Sequence, residues 1–141
     1  LNLNIHIHEP KKSINKNTDI YLVNSYGQTK SFFNNCKNIF LGGSLIDHGG
    51  QNPLEATRYG CNILYGPNIS NFKEIYKQLK QMNIAQQINS KKTMIKKLDQ
   101  ALSKKSKSKN IKNKLSSIGK KILNSTYKEV IFIIKNDIQK T

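Results

Sequence analysis

Apolar and polar residues alternate one by one near the start of the chain, with Leu3, Ile5 and Ile7 set against Asn4, His6 and His8. A period of two puts each set on its own face, so residues 3–8 are predicted to form a half-exposed strand. Residues 9–17 are polar, include Pro10 and read as a loop. Apolar runs at 20–23, 38–41 and 61–65 have the length and punctuation of buried strands, and 84–88 is a plausible last one. Between them, residues 29–35 are predicted to be helical, turning Phe32 and Phe33 inward. A helix over 53–59 stops at Gly60, and one over 71–82 carries Phe72, Ile75, Tyr76 and Leu79 on one stripe. Strands alternating with helices predict right-handed crossovers and an α/β fold, a Rossmann-like parallel sheet with flanking helices. That sheet is expected to run through 20–23, 38–41 and 61–65.

Beyond residue 88 the pattern changes. Residues 90–102 fit a helix with Met94, Ile95, Leu98 and Leu102 inward, and 103–109 alternate serine and lysine as a solvated loop. Residues 111–135 fit a helix striped by Ile111, Leu115, Ile118 and Ile122, with Gly119 or Asn124-Ser125 as possible breaks. No internal repeat is evident.

Candidate chemistry gathers at two strand ends. After 38–41 come Gly42 and Gly43, then Gly49 and Gly50, then Asn52-Pro53-Leu54-Glu55. Paired glycines let a chain turn sharply and bring bare N–H groups to a ligand. Asn52 suits a helix cap, Pro53 the first position and Glu55 the third. The same residues also fit a plain turn and a capping box in which Glu55 returns to the Asn52 N–H. The turn at 24–28 closes the other strand end, and ligands of parallel sheets bind at such ends.

The run Gly42-Gly43-Ser44-Leu45, then His48-Gly49-Gly50, Asn52-Pro53-Leu54-Glu55, Gly66-Pro67 and Asn71-Phe72-Lys73-Glu74-Ile75 resembles the 3-deoxy-D-manno-octulosonic acid (Kdo) transferases. Upstream, residues 19–33 resemble that family's strand and Asp-Thr-x-Gly-Glu turn. The resemblance is continuous from about Thr18 to Leu79. It implies a GT-B glycosyltransferase of lipopolysaccharide biosynthesis that moves Kdo from CMP-Kdo to a lipid A precursor. This chain would be most of its second, donor-binding half. Residues 1–88 would form the nucleotide-sugar core, and 89–141 helices packing on it, with the acceptor-binding first domain missing. By the resemblance Tyr26, Gly27, Gln28, Asn52, Pro53, Leu54 and Glu55 contact CMP. Gly42, Gly43, Ser44 and His48 offer donors to the phosphate or the Kdo carboxylate. A ribose hydroxyl is the implied partner of Glu55. No catalytic residue is assigned, because the family's general-base glutamate belongs to the first domain. No metal or other cofactor is implied, since basic groups and helix N-termini can neutralise the leaving phosphate.

The chain departs from the family at Asn24 and Gln28, where acids are usual. Each change removes a charge and keeps a hydrogen-bonding side chain. The Pro-Arg-His-Pro segment expected before residue 1 is also missing.

With 141 residues the chain can bury one core, so one domain is expected. Its start lacks the basic region and long apolar run of a secretory signal and has no methionine, as expected of a fragment. The longest late apolar run, 130–134, is too short to span a bilayer. Cys36 and Cys61 are expected to be free thiols, and His6 and His8 ordinary strand residues with no evident third metal ligand. Net charge is +16, from 24 Lys and Arg against 8 Asp and Glu. Arg58 is the only arginine, which argues against specific nucleic-acid recognition. Lysine accompanies abundant asparagine and isoleucine, a usage that fits a solvated surface or attraction to an anionic membrane. The expected location is the cytoplasmic face of the bacterial inner membrane, held peripherally. Two rival readings are a GT-B transferase with another nucleotide sugar, and a non-enzymatic basic module that binds RNA or anionic lipid.

Overall fold

The computed structural model describes residues 2–103 and 108–138. In chain order its elements are β1 (Ile5–Ile7), β2 (Ile20–Leu22), α1 (Thr29–Asn35), β3 (Asn38–Leu41) and α2 (Pro53–Arg58). They continue with β4 (Asn62–Tyr65), a 3₁₀ turn (Ser70–Phe72), α3 (Lys73–Gln81), β5 (Ala85–Gln87), α4 (Lys91–Ser103) and α5 (Ser108–Ile138). Every strand pair is parallel, as the alternation of strands and helices predicts.

The single expected sheet falls into two. β3, β4 and β5 pair in that order, with Phe40 opposite Leu64 and Leu64 opposite Gln86. β2 pairs with β1 instead of β3, placing Tyr21 opposite His6. Its bonds run to the amino-terminal strand, His8 N to Leu22 O at 2.7 Å and Ile20 N to Asn4 O at 3.1 Å. Ile5, Ile7, Ile20 and Leu22 remain exposed, so this ribbon adds little to the core.

The core lies on one face of the larger sheet. Ile63 and Tyr65 turn the same way along β4, and the Tyr65 ring lies 4.3 Å from that of Tyr76 on α3. Ala56, Leu79, Ile84 and Ile111 complete the buried cluster, with Phe33 at its edge. Cys61 is buried there as a free thiol, donating to the carbonyls of Phe33 and Cys36 at 3.3 and 3.2 Å. Its burial raises the thiol pKa.

Three helices differ from expectation. The α3 helix begins at Lys73 rather than 71, because Asn71 is drawn to the glycine loop. On α4 the residues expected inward divide: Met94 and Leu98 are half-buried, whereas Ile95 and Leu102 are exposed. The sheet face on that side offers Asn62 and Gln86, and Lys97 Nζ donates to Gln86 Oε1 at 2.7 Å. That polar face gives an apolar stripe little to bury against. Finally, α5 runs unbroken through Gly119 and Asn124-Ser125, and Ser108 and Lys109 already belong to it. A mid-helix glycine costs about 1 kcal/mol, too little to stop a helix this long. The rest of the predicted serine–lysine loop, 104–107, lies outside the described residues. Ile111 is buried and Leu115 and Ile118 half-buried as expected, but Ile122 is exposed.

Candidate functional site

At the carboxyl end of β3 the chain enters a loop that its own hydrogen bonds hold in shape. Ser44 is wholly buried; its Oγ donates to Leu41 O at 2.7 Å and accepts from Gly66 N at 2.8 Å. Its carbonyl accepts from Asn68 N at 2.9 Å. Gly50 N donates to Gly43 O, and Asn71 N to Gly49 O, each at 3.3 Å. The Tyr76 hydroxyl donates to Gln51 O at 2.9 Å, tying the loop to α3. Burial, with Tyr65 beside it, pushes the Tyr76 pKa up to about 12. None of these bonds uses the N–H of Gly42 or Gly43.

Two glycines need their lack of a side chain for close approach. A Cβ at Gly66 would collide with the Ser44 carbonyl, and one at Gly49, where φ is +79°, with the Asn71 amide. At Gly42 a Cβ would meet nothing within 4 Å, leaving the strand end open.

Asn52 caps α2 as predicted, its Oδ1 accepting from Leu54 N at 3.0 Å with Pro53 at the first position. The reciprocal bond from Glu55 is absent among the described residues, so its exposed carboxylate is not committed to the cap. Asn52, Leu54 and Glu55 instead line a surface cleft of about 520 Å³ with Lys30, Arg58 and Tyr59. Lys30 stands on the first turn of α1, and Arg58 lies one helical turn beyond Glu55. Two cations and one carboxylate suit a ligand that carries both an anion and hydroxyl groups.

The sequence-predicted residues thus occupy different settings. Asn52, Leu54 and Glu55 share the cleft, while Pro53 is buried beside it. Gln28 is half-buried at the start of α1, two residues before Lys30, and its carbonyl accepts from Ser31 N at 3.0 Å. Gly27, with φ +87°, and Tyr26 are exposed and do not line the cleft. Gly42, Gly43 and His48 are grouped in the loop, with the His48 ring beside Gly43. Ser44 differs in kind: its hydroxyl already serves Leu41 and Gly66, so it shapes the loop from within. Lys30 and Arg58 were not singled out as site residues, because single cations on separate helices form no motif. Their spacing from Gln28 and Glu55 was the available signal.

Elsewhere, an apolar groove of about 550 Å³ between α2, α3 and α5 is lined by Leu54, Ile75, Leu79, Met82, Leu115 and Ile118 among others. It is where α5 seats. Tyr21 lies between His6 and His8, its hydroxyl 2.5 Å from His8 Nδ1. Among the described residues no three His, Cys, Asp or Glu side chains come together as a metal site.

No protein-family model matches the chain. A 3-deoxy-D-manno-octulosonic acid transferase from Haemophilus influenzae is 34% identical over 76 residues, 54% of this chain and 18% of that protein. The transferase of the same name from Rickettsia prowazekii is 37% identical over 79 residues, 56% of this chain and 17% of that protein. Its sequence relatives are Kdo transferases. The chain spans less than a fifth of the length of these two curated relatives. Among solved structures, the carboxyl-terminal CMP-Kdo binding domain of WaaA from Acinetobacter baumannii superposes with a TM-score of 0.72. That match covers 83% of this chain and 61% of the other at 23% identity. The chain therefore has the fold of the Kdo transferase carboxyl-terminal domain, the GT-B second half.

Proposed function

We propose that this chain is the donor-binding part of a Kdo transferase, holding CMP-Kdo for transfer to a lipid A precursor. The observation that carries the reading is the cleft in which Asn52 and Glu55 meet Lys30 and Arg58. Glu55 accepts from a ribose hydroxyl, and Lys30 and Arg58 provide counter-charge for the phosphate. The open strand end at Gly42 and Gly43 admits the anionic part of the donor, with His48 beside it. Gln28 and the exposed Tyr26–Gly27 turn approach the nucleotide from the start of α1. Ser44 and Pro53 act from inside, by fixing the loop and the start of α2.

Residues 1–88 make the donor core, and 89–141 supply helices that pack on it. The acceptor and the general base belong to the other half of the enzyme, so these 141 residues alone bind donor without turning it over. The cations supply the charge that a metal would otherwise bring, and the reading requires no cofactor. The working location is peripheral, on the cytoplasmic face of the inner membrane.

Amide NMR during titration with CMP, AMP and UMP tests this. Shifts confined to Lys30, the 42–55 loop and α2, larger for CMP than for the others, are expected. The +16 charge favours one rival, a basic module without nucleotide selectivity. Shifts scattered over lysine-bearing surface, equal for all three nucleotides and falling steeply with salt, would establish that rival instead.

A further inference from the structure

Two openings of different chemistry adjoin at Gln51 and Asn52. Asn52 lines the cleft with Lys30, Glu55 and Arg58, and Gln51, the residue before it, stands at the open end of β3. A Cβ on Gly43 would lie 3.7 Å from Gln51 Nε2 and 3.3 Å from His48 Cδ2, so both side chains flank one point. At Gly42, next along the chain, a Cβ would meet nothing within 4 Å. The bond from Gly50 N to Gly43 O brings Gln51 to this place. The hydroxyl of wholly buried Tyr76 then holds the Gln51 carbonyl at 2.9 Å.

The backbone of Gln51 is committed to the loop, but its side chain is not. Among the described residues the exposed Gln51 amide makes no hydrogen bond. Whichever way it is turned, an amide offers an NH2 donor at one end and an oxygen acceptor at the other. The N–H groups of Gly42 and Gly43 are likewise outside the bonds that shape the loop. The mouth of β3 therefore presents uncharged donors, whereas the cleft holds two cations and the Glu55 carboxylate.

That order along the chain matches the order of parts in the donor. With the ribose at Glu55 and the phosphate beside Asn52, Lys30 and Arg58, the next group along CMP-Kdo reaches Gln51. Kdo is a sugar acid, and Glu55 repels its carboxylate from the cleft. N–H donors at the strand end receive a carboxylate well, because hydrogen bonds to an ionised acceptor are the strong ones.

We propose that Gln51 recognises the sugar-acid part of the donor, its amide donating to the Kdo carboxylate in the mouth shared with Gly43 and His48. This rests on the donor-binding reading above and adds a sugar subsite to it. Calorimetric titration of the 141-residue chain with CMP-Kdo and with CMP tests it, and the parent should bind CMP-Kdo more tightly. Gln51→Ala should weaken CMP-Kdo about tenfold or more and leave CMP within about twofold. Gln51→Glu sets a carboxylate against a carboxylate and should weaken CMP-Kdo further, again sparing CMP. The retained CMP affinity shows that each variant is folded. Unchanged CMP-Kdo affinity in Gln51→Ala, equal losses of both ligands, or a parent that binds CMP-Kdo no more tightly than CMP would overturn the proposal. Glu55→Ala separates the two readings, since it should weaken both ligands. If it weakens neither, the donor-cleft reading fails; if it weakens both while Gln51→Ala spares CMP-Kdo, the sugar subsite alone fails.

Discussion

Ser44 Oγ accepts a hydrogen bond from Gly66 N at 2.8 Å, so the turn after β4 clasps the loop after β3. The same hydroxyl donates to Leu41 O at 2.7 Å, joining both ends of the loop's first turn. Ser44→Ala leaves a buried N–H and a buried carbonyl without this partner. It should cost about 1–3 kcal/mol in thermal or urea unfolding, and weaken CMP binding as the loop loosens. Unchanged stability would show that the clasp is not what holds the loop.

Gly42 and Gly66 separate shape from ligand access. Gly66→Ala drives a Cβ into the Ser44 carbonyl and should destabilise by about 1–3 kcal/mol. Gly42→Ala meets nothing within 4 Å and should leave stability within about 0.5 kcal/mol. On the proposed reading the new methyl group stands where the donor enters, so Gly42→Ala should still weaken CMP-Kdo binding. Paired melting and calorimetric titration read the two effects apart.

Much of this arrangement was legible in the chain. Apolar runs punctuated by Gly60 and Gly66-Pro67 marked β3, β4 and α2, and Asn52-Pro53 marked where α2 begins. Strand partnership was not legible, since Ile20–Leu22 has the same apolar character whether it pairs with β1 or β3. The burial of the Ser44 hydroxyl was not legible, because a serine among glycines gives no sign of it; the approach of Gly66 decides that. Lys30 and Arg58 reach one cleft only through the packing of α1 beside α2. The stripe on α4 failed at Ile95 and Leu102 because its pattern carries no information about the amide-bearing surface opposite.

Alkaline pH provides a test through Tyr76. Its pKa is raised to about 12 in the folded chain, against about 10 when unfolded, because burial and the neighbouring Tyr65 disfavour the phenolate. The stabilisation is complete below pH 10 and is lost as pH rises from 10 through 12, by roughly 2 kcal/mol. In Tyr76→Phe that part of the decline should vanish, while stability at neutral pH falls as Gln51 O loses its donor. Chemical unfolding at pH 8, 10 and 11 measures both.

The central claim is that Glu55 belongs to a nucleotide site. Its carboxylate lines the cleft with Lys30 and Arg58, whereas Glu74 lies on the first turn of α3 and contributes nothing to that cleft. Calorimetric titration of CMP into the 141-residue chain and its Glu55→Ala and Glu74→Ala variants tests it most directly. A lost charge-assisted hydrogen bond costs roughly 1.5–3 kcal/mol, so Glu55→Ala should weaken CMP about 10- to 100-fold while Glu74→Ala stays near the parent. Equal affinity in all three proteins would contradict the account.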